Sequence, residues 1–288
     1  PLTEVDSLIA VLPFFHIYGL LVIMNYALSR GAAIVVLGRF DLAEFLEVIQ
    51  DQRVTFAHLV PPILLALAKH PLVDAYDLSS LQGIVSGAAP LGEDLAQAVE
   101  DRLGCVVAQG YGLTETSPVT HQAPNQRRGQ TPHHLIGPSL PNTEVKIVDV
   151  GTGKELGPEE QGEIWIRGPQ VMVGYLNRPQ ATAATIDEDG WLHTGDIGIT
   201  DENGYCRIVD RVKELIKFKG FQVAPAELEA LLLTHPKIQD VAVVRSPDEE
   251  AGEVPKAFVV GDETLSPEEV MGFVADNVAP HKKIRRVE

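Results

Sequence analysis

Four cationic side chains crowd one short segment of an otherwise strongly acidic chain. The formal net charge of the 288 residues is −17, yet nine consecutive residues hold Arg211, Lys213, Lys217 and Lys219. A flexible glycine and an amide, Gly220 and Gln222, follow directly. Such a cluster on an acidic body favours the binding of a small anion. The alternative is a solvated basic strand, or a loop that is salt-bridged to the acidic surface.

A glycine-rich segment, Gln109 to Thr116, follows a strand-like run and offers groups that could hold a nucleotide. Its two glycines let the backbone approach a flat ring, and Tyr111 offers a stacking face. Thr114 supplies a hydroxyl for a phosphate, and Glu115 supplies a hard oxygen ligand for Mg²⁺. The alternative is an ordinary glycine-rich turn that leads into a helix N-terminus.

A third segment, Trp191 to Asp196, ends in a carboxylate that follows a glycine. A carboxylate can accept two hydrogen bonds from vicinal hydroxyls, and this is how an Asp recognises ribose. The alternative is an Asp that caps a turn.

Taken together, the three segments resemble the adenylate-forming enzymes, which include acyl-CoA synthetases, luciferases and the adenylation domains of peptide synthetases. The close match is to 4-coumarate–CoA ligases and their bacterial relatives, and it extends over essentially all 288 residues. The resemblance implies a ligase that uses ATP and Mg²⁺ to convert a carboxylic acid into an acyl-AMP, and then coenzyme A to form a thioester. The acid implied is aryl-propenoic, similar to cinnamate or 4-coumarate.

The resemblance also assigns residues to roles. Nucleotide contacts are implied for Ala88, Gln109, Gly110, Tyr111, Gly112, Thr114, Asp196 and Arg211, with Glu115 on the metal. Catalytic roles are implied for His16, Lys213, Lys217 and Gln222, CoA contacts for Arg39, Lys219 and Gly220, and a hinge for Asp210. For His16, which lies among aromatic residues, the alternative is a satisfied core histidine.

The implied acyl pocket departs from the family pattern at two positions. Its lining would be Tyr18, Leu21, Val22, Gly83, Gly87, Pro118 and Val119. Plant coumarate ligases have Asn-Ser where Leu21 and Val22 stand, and that Ser can bond a phenolic hydroxyl. An unpaired buried hydroxyl costs about 1–3 kcal/mol, so we expect a preference for cinnamate or another apolar acid over 4-coumarate.

Composition limits the remaining possibilities. The length predicts about two domains, and no apolar run reaches the ~20 residues that span a bilayer. No secretory signal is visible at the start, and Cys105 and Cys206 lie in apolar runs, so we expect a reducing, cytoplasmic setting. A pI near 4.9 argues against nucleic acid as a partner. The oligomeric state stays open.

The hydrophobic pattern predicts where these residues lie. From residue 5 to residue 109, short β-branched runs alternate with helical ones, which predicts parallel βαβ units covered on both faces. Ligands of such sheets bind beyond the carboxyl ends of the strands, where Ser86–Ala89 and Gln109–Glu115 fall. After Gly110 the pattern predicts no helices, a long loop from Pro118 to Pro141, and then three strands.

A third pattern, with helices and strands mixed, begins at Pro225. We expect an α/β portion of a large domain over 1–140 and a β-barrel subdomain over 141–209. The resemblance implies that this barrel is small and distorted. A mobile α+β domain, hinged at Asp210, is expected over 210–288.

Two family motifs are missing between Pro1 and Glu288: an upstream phosphate loop that ends in Lys, and a catalytic Lys near the C-terminus. We therefore expect the chain to be an internal part of a longer enzyme and not to turn over alone. The alternative functions are a module that loads a carrier protein, a fatty acyl-CoA synthetase, a luciferase-like oxygenase, and a nonenzymatic nucleotide-binding protein. Arg39 and Lys219–Gly220 favour free CoA. Phe14–His16 disfavours the luciferase-like group, which has a His-His-Gly type of string.

Overall fold

Three β-sheets follow one another along the chain, each with its own helices and core. A computed structural model describes residues 2–124 and 131–288. Within these ranges, no helix has both the length and the apolar composition needed to cross a bilayer.

The first sheet is the predicted parallel α/β sheet. Its strands are β1 (Ser7–Ala10), β2 (Ala33–Val36), β3 (Phe56–Leu59), β4 (Gly83–Ser86), β5 (Val106–Gly112) and β6 (Val119–Gln122). Its helices are α1 (Tyr26–Arg30), α2 (Leu42–Gln52), α3 (Pro61–Lys69) and α4 (Glu93–Leu103). The strand order is β2-β1-β3-β4-β5-β6, and all pairs except β5–β6 are parallel. The carboxyl ends of β1 to β5 therefore lie along one edge of the sheet.

Local signals place the helices of this sheet. Asp41 caps α2 by accepting a hydrogen bond from the backbone N–H of Glu44 at 3.1 Å. Pro61 occupies the first position of α3, and Gly104 ends α4 in the left-handed conformation. Phe45, Leu46 and Ile49 on α2 are fully buried, and each such burial stabilises the fold by about 1.5–3 kcal/mol.

The apolar segment over 18–29, one of the helical runs in the predicted α/β region, is not one regular α-helix. Tyr18–Asn25 is a π-helix, and α1 continues from Tyr26. The apolar pattern identified a helical segment but not its wider turn, a form that is common at functional sites.

The second sheet is antiparallel and contains the strands predicted for a small barrel. They are β7 (Glu144–Val148), β8 (Glu155–Leu156), β9 (Gly162–Arg167), β10 (Leu192–Thr200) and β11 (Cys206–Arg211), in the order β11-β10-β9-β7-β8. Cys206 is one of its fully buried residues, and Cys105 is buried in the first sheet's core.

Two predictions for this region were wrong. Helices do not disappear after Gly110, because α5 spans Pro179–Thr185 and a 3₁₀ turn spans Thr114–Thr116. The segment predicted as a loop from Pro118 contains β6, which pairs with the end of β5. Residues 125–130 of that segment lie outside the described residues.

The third sheet and its helices form what we call the C-terminal unit, residues 216–287. It contains β12 (Ile216–Phe218), β13 (Phe221–Val223), α6 (Pro225–Leu233), β14 (Ile238–Asp248), β15 (Gly252–Gly261), α7 (Pro267–Asn277) and β16 (Arg286–Val287). Ser266 caps α7 by accepting from the N–H of Glu269 at 3.1 Å. The unit has its own core, in which Ile216, Leu228 and Val274 are fully buried.

Candidate active site

The loops after β4 and β5 lie side by side at the carboxyl edge of the parallel sheet. Ser86 pairs with Gln109 in register, so the residues that follow each of them are neighbours. Ala88 is in the left-handed conformation, with φ at 68°. Such backbone is rare for a residue with a Cβ, and it recurs where loops close around a ligand. The edge therefore holds Ala88 beside Gly110 and Tyr111.

Gln109 holds the neighbouring loops at this edge, because both ends of its side-chain amide are hydrogen-bonded to backbone groups. The side chain is buried; its Oε1 accepts from the N–H of Leu91 at 3.1 Å, and its Nε2 donates to the carbonyls of Leu91 and His133. The side-chain amide therefore positions these loops, and the nucleotide contact implied for Gln109 stays a prediction.

Gly112 is required by the close approach of a neighbouring loop. A Cβ placed there would lie 1.7 Å from the carbonyl oxygen of Pro118, closer than atoms can approach. At Gly110 the nearest atom to such a Cβ is Oε1 of Gln122, at 3.0 Å, on a side chain that can move. The two glycines thus differ: backbone packing requires Gly112 far more strictly than Gly110.

Asp196 lies at the centre of a set of contacts between the two sheets. The register of β10 against β9 shifts between His193 and Ile197, and a bulge of this kind redirects a side chain. Oδ2 of Asp196 accepts from the hydroxyl of Tyr111 at 2.7 Å, and Oδ1 lies 3.3 Å from Nε of Arg211. Only 5% of Asp196 is exposed, whereas 64% of the Arg211 side chain is.

The environment of Asp196 suits a carboxylate that meets hydroxyl groups. Burial raises its pKa, and the Tyr111 hydroxyl and the Arg211 guanidinium act in the opposite direction. Burial, followed by the charge of Asp196, raises the pKa of Tyr111, so that hydroxyl stays a donor. A carboxylate has about four acceptor sites, and two are engaged, so two remain for vicinal hydroxyls of a ribose.

Glu115 lies at the end of the glycine-rich loop, next to the exposed Thr114. Its Oε1 accepts from the hydroxyl of Tyr175 at 2.7 Å, and its backbone carbonyl accepts from the N–H of Met172 at 2.8 Å. No group of three or more acidic, His or Cys residues that could hold a metal occurs in the described part of the chain. Glu115 fits Mg²⁺ as a single carboxylate ligand, since Mg²⁺ in nucleotide sites is held by one or two carboxylates, waters and phosphates.

Two of the residues predicted for an acyl pocket meet at the same edge. The Tyr18 ring lies against Gly87, where a Cβ would be 3.0 Å from the ring. The Tyr18 hydroxyl lies 3.3 Å from Nδ1 of His58 and 3.3 Å from the carbonyl of Val85. Burial raises the pKa of Tyr18 and lowers that of His58 to about 4, so both groups are neutral near pH 7.

The remaining predicted pocket residues divide into two groups. Leu21 and Val22 are half-buried on the π-helix that starts at Tyr18, and Pro118 and Val119 follow the glycine-rich loop, where Val119 pairs with Gly112. Gly83 does not join them. It begins β4, at the opposite end of the strand from Gly87, and a Cβ at Gly83 would lie 3.0 Å from the ring of Phe56. A strand rises ~3.3 Å per residue, and this separates the two glycines by roughly 13 Å.

His16 and Arg39 are both exposed beyond the carboxyl ends of strands. His16 follows β1, and its Nδ1 accepts from the N–H of Tyr18 at 3.1 Å, so the proton of the neutral ring is on Nε2. Arg39 follows β2, the edge strand of the sheet.

The cationic segment is not joined to this edge beyond Arg211 and Val212. Lys217 and Gln222 face each other across the β12–β13 hairpin, whose turn is Lys219 and Gly220, both with positive φ. Lys219 pairs with Glu250 of the same unit, and the Lys213 carbonyl accepts from Arg245. Among the described residues, no hydrogen bond or ion pair connects 213–222 with Gln109–Glu115 or Asp196. The side chains of Lys213, Lys217, Lys219 and Gln222 are all exposed.

Asp210 bridges the second sheet and the C-terminal unit. Its carboxylate accepts from the N–H of Arg211 at 2.7 Å and from the N–H of Ala226, in the first turn of α6, at 3.0 Å. Burial raises its pKa. One buried side chain thus ties β11 to the start of α6, which agrees with a hinge that is pinned in this arrangement.

Three residues of the site had no sequence signal that we used. Tyr175 reaches Glu115 from 60 residues away, and His58 reaches Tyr18 from 40 residues away. Glu163 accepts from the N–H of Gly195 at 2.8 Å and so holds the bulge before Asp196. A His inside an apolar strand was the one available hint, at His58.

The chain belongs to the AMP-binding enzyme family. Residues 1–176, more than half of the 288, match the family model of AMP-binding enzymes, and residues 227–288 match the model of the C-terminal domain of those enzymes. This agrees with the α/β fold and with the groups assembled around Asp196.

Individual proteins give a finer comparison. The chain is 52% identical over 287 residues to 4-coumarate–CoA ligase 1 of Solanum tuberosum, a match that covers 98% of this chain and 53% of that protein. The chain therefore spans about half the length of the relative.

Two solved structures of MatB from Rhodopseudomonas palustris share the fold. The ATP-bound form gives a TM-score of 0.88 and the apo form 0.76, each at 31% identity, over 99% of this chain and 56% of MatB. By TM-score, the structure of this chain as a whole is therefore more similar to the ATP-bound form than to the apo form.

Proposed function

We propose that this chain is part of an AMP-forming acid–thiol ligase that activates a carboxylic acid with ATP and transfers the acyl group to coenzyme A. The observation that carries the proposal is the buried Asp196 carboxylate, held by Tyr111 and Arg211 beside the glycine-rich loop. The similarity to a 4-coumarate–CoA ligase over 98% of the chain supports it.

The chemistry proceeds in two balanced steps. A carboxylate oxygen of the acid attacks the α-phosphorus of ATP, and the bond to the bridging oxygen breaks and releases pyrophosphate. The sulfur of CoA then attacks the acyl carbon, the thiol proton is lost, and AMP leaves. Negative charge is redistributed on phosphate oxygens in the first step, so positioned donors and cations lower its barrier most.

The residues at the carboxyl edge of the first sheet, together with Asp196 of the second sheet, would act in the first step. Asp196 accepts from the ribose hydroxyls, Ala88 and the Gly110–Gly112 backbone adjoin the adenine, and Thr114 donates to the α-phosphate. His16 would lie beside the acid carboxylate. Glu115 would hold Mg²⁺, which neutralises phosphate charge when bound.

The residues of the cationic segment would act at the acyl-adenylate and at CoA. We assign Lys213, Lys217 and Gln222 to the adenylate, and Arg39, Lys219 and Gly220 to CoA. Rotation of the C-terminal unit about Asp210 would bring them to the carboxyl edge. We also propose that the chain divides into the three parts 1–140, 141–209 and 210–288, and that the enzyme works in the cytoplasm.

For the acid, we propose an aryl-propenoic substrate with no polar group at the far end of its ring. Leu21 and Val22 offer no hydrogen bond, and the Tyr18 hydroxyl is already engaged by Val85 and His58. An unpaired hydroxyl costs about 1–3 kcal/mol. Cinnamate should therefore exceed 4-coumarate in kcat/KM by roughly 5- to 150-fold.

The test is acid-dependent exchange of labelled pyrophosphate into ATP by the full-length enzyme, meaning the longer protein that we expect to contain this chain. The acids should include cinnamate, 4-coumarate, benzoate and a fatty acid. Exchange with the aryl-propenoic acids, followed by thioester formation with free CoA, is the expected result. No exchange with any acid, or transfer only to a carrier-protein thiol, would overturn the proposal.

A further inference from the structure

The end of α3 is hydrogen-bonded to the C-terminal unit through one side chain. Nζ of Lys69, the last residue of α3, donates to the carbonyl of Leu233 at 2.9 Å and to the carbonyl of Ile238 at 3.1 Å. These partners are 164 and 169 residues away along the chain. Within the described ranges, no other side-chain hydrogen bond or ion pair connects residues 2–124 with residues 212–288.

The two acceptors suit an ammonium group. Leu233 is the last residue of α6, and the final carbonyls of a helix have no partner inside it and carry partial negative charge. An ammonium supplies three donors and a full charge, so it can satisfy two carbonyls at once. Burial at the contact lowers the pKa of Lys69, which agrees with a side chain partly withdrawn from water.

A second contact lies beside the first. A Cβ at Gly92, the residue before α4, would lie 3.3 Å from the Cβ of Ala230 on α6. Hence α6 packs where α3 ends and α4 begins. The hydrogen bonds of Lys69 and the packing at Gly92 both exist only while α6 occupies this place.

We propose that Lys69 is a positioning residue that holds the C-terminal unit in the arrangement seen here, in which no hydrogen bond or ion pair among the described residues joins the β12–β13 hairpin to the carboxyl edge. Two hydrogen bonds from an exposed lysine form a contact that can be released. Lys69 would thereby set the balance between this arrangement and any other that the unit adopts. Its consequence for catalysis rests on the proposed function, but the arrangement itself does not.

The competing explanation is local: Lys69 would only cap α6, with no effect on where the unit lies. The two explanations differ in what the Lys69→Met variant changes. Methionine keeps most of the side-chain length and removes the donors. A local cap affects the stability of α6 alone, whereas a positioning residue affects how often α6 leaves α4.

The experiment measures both the docked and the undocked population in the full-length enzyme. In Gly92→Cys/Ala230→Cys, the two Cβ atoms would be close to the usual disulfide separation of about 3.8 Å, after a shift of a few tenths of an ångström. The rate at which oxidised glutathione links them reports the docked population. Maleimide labelling of Ala230→Cys alone reports the undocked population. Peptide mapping identifies the labelled and cross-linked residues, and circular dichroism verifies that each variant is folded.

With Lys69→Met we expect roughly tenfold slower cross-linking, tenfold faster labelling, or smaller changes in both, because hydrogen bonds from a charged donor are lost. Whichever arrangement dominates, one of the two rates must respond. Lys69→Arg, which keeps a charged donor, should restore at least half of the effect on a logarithmic scale. Lys154→Met, an exposed lysine in a turn of the second sheet, is the matched control and should change neither rate.

Rates for Lys69→Met within about twofold of the parent in both assays would overturn the proposal, and so would equal changes in Lys154→Met. Neither assay requires turnover. A full-length enzyme that shows the expected effect of Lys69→Met but no pyrophosphate exchange would therefore refute the proposed function and leave this inference standing.

Discussion

The glycine-rich loop at the carboxyl edge and the cationic segment were predicted from comparable sequence signals, yet they differ in how many partners their side chains have in the structure. Around Asp196, groups from separate elements converge: Tyr111 lies near the end of β5, Asp196 lies at a bulge in β10, and Arg211 ends β11. The cations of the β12–β13 hairpin are exposed and, in the described part of the chain, make no hydrogen bond or ion pair with these groups; the Lys219 side chain pairs within its own unit. The residues around Asp196 contact one another in this single arrangement, whereas the hairpin residues, which are proposed to act after a rotation, are exposed.

The contrast extends to burial. The carboxylate of Asp196 is buried and held by two donors, so its position is determined by packing. The hairpin turn is determined only by backbone geometry, with Lys219 and Gly220 both in the left-handed region. Changes at the edge should therefore affect every step, and changes at the hairpin should affect one.

The largest effect is expected for Gly112→Ala. The added methyl would collide with the carbonyl of Pro118, and backbone on both sides leaves little room to move. We expect a loss of about 3 kcal/mol or more in stability, with loss of AMP binding measured by calorimetry. Gly110→Ala is the matched control, since only the movable Gln122 side chain opposes it. Equal effects at the two glycines would show that the Pro118 contact does not shape the edge.

Asp196→Ala should weaken ATP use by about 1.5–3 kcal/mol, or about 10- to 150-fold in KM for ATP, because ribose loses a charged acceptor. The measurement is the ATP dependence of pyrophosphate exchange in the full-length enzyme. Asp201→Ala is the control: Asp201 is likewise a hydrogen-bonded carboxylate, but it accepts from the backbone N–H groups of Asn203 and Tyr205 in the turn between β10 and β11. An ATP dependence that Asp196→Ala leaves unchanged would show that Asp196 only joins the two sheets through Tyr111 and Arg211.

Gly220→Leu should separate the two half-reactions. With φ at 87°, Gly220 has a backbone that costs other residues about 1–2 kcal/mol, and the bulk falls where CoA is proposed to pass. Acyl-AMP formation in a single turnover without CoA should stay near normal, and the thioester yield should fall after CoA is added.

Gly204→Leu provides the matched strain. Its φ is 79°, and a Cβ there would also meet open space, but it lies in the turn between β10 and β11. It should spare both half-reactions. If Gly220→Leu reduced both steps equally, the proposed rotation about Asp210 would lose its support.

Local patterns predicted the scaffold well and the contacts of the site poorly, for a physical reason. The bounds of α4 and β9 and the caps at Asp41 and Ser266 depend on neighbouring residues, so the sequence contains their signals. The hydrogen bond from Tyr175 to Glu115 and the hydrogen bonds of the Gln109 amide to loop backbone depend on packing between distant segments. Gly83 was misplaced because a glycine in a strand does not reveal which end meets the ligand.

The smallest effect distinguishes the edge from the hairpin by pH. Burial lowers the pKa of His58 and of His121 to about 4, from 6.5. Above pH 6.5 both states of each histidine are neutral. Below it the unfolded chain binds protons first, so stability is lost progressively down to about pH 4. Between pH 6.5 and 5.5 the loss should be about 1 kcal/mol for each histidine.

Native-state hydrogen exchange of β3 to β6 would measure this loss, with the β12–β13 hairpin as the internal reference. His58→Asn, which keeps a polar group near the Tyr18 hydroxyl but does not titrate, should remove about half of the pH dependence. An unchanged slope in that variant would mean that His58 is protonated in the folded state. The description of His58 and Tyr18 as a neutral hydrogen-bonded pair next to the predicted acyl pocket would then be wrong.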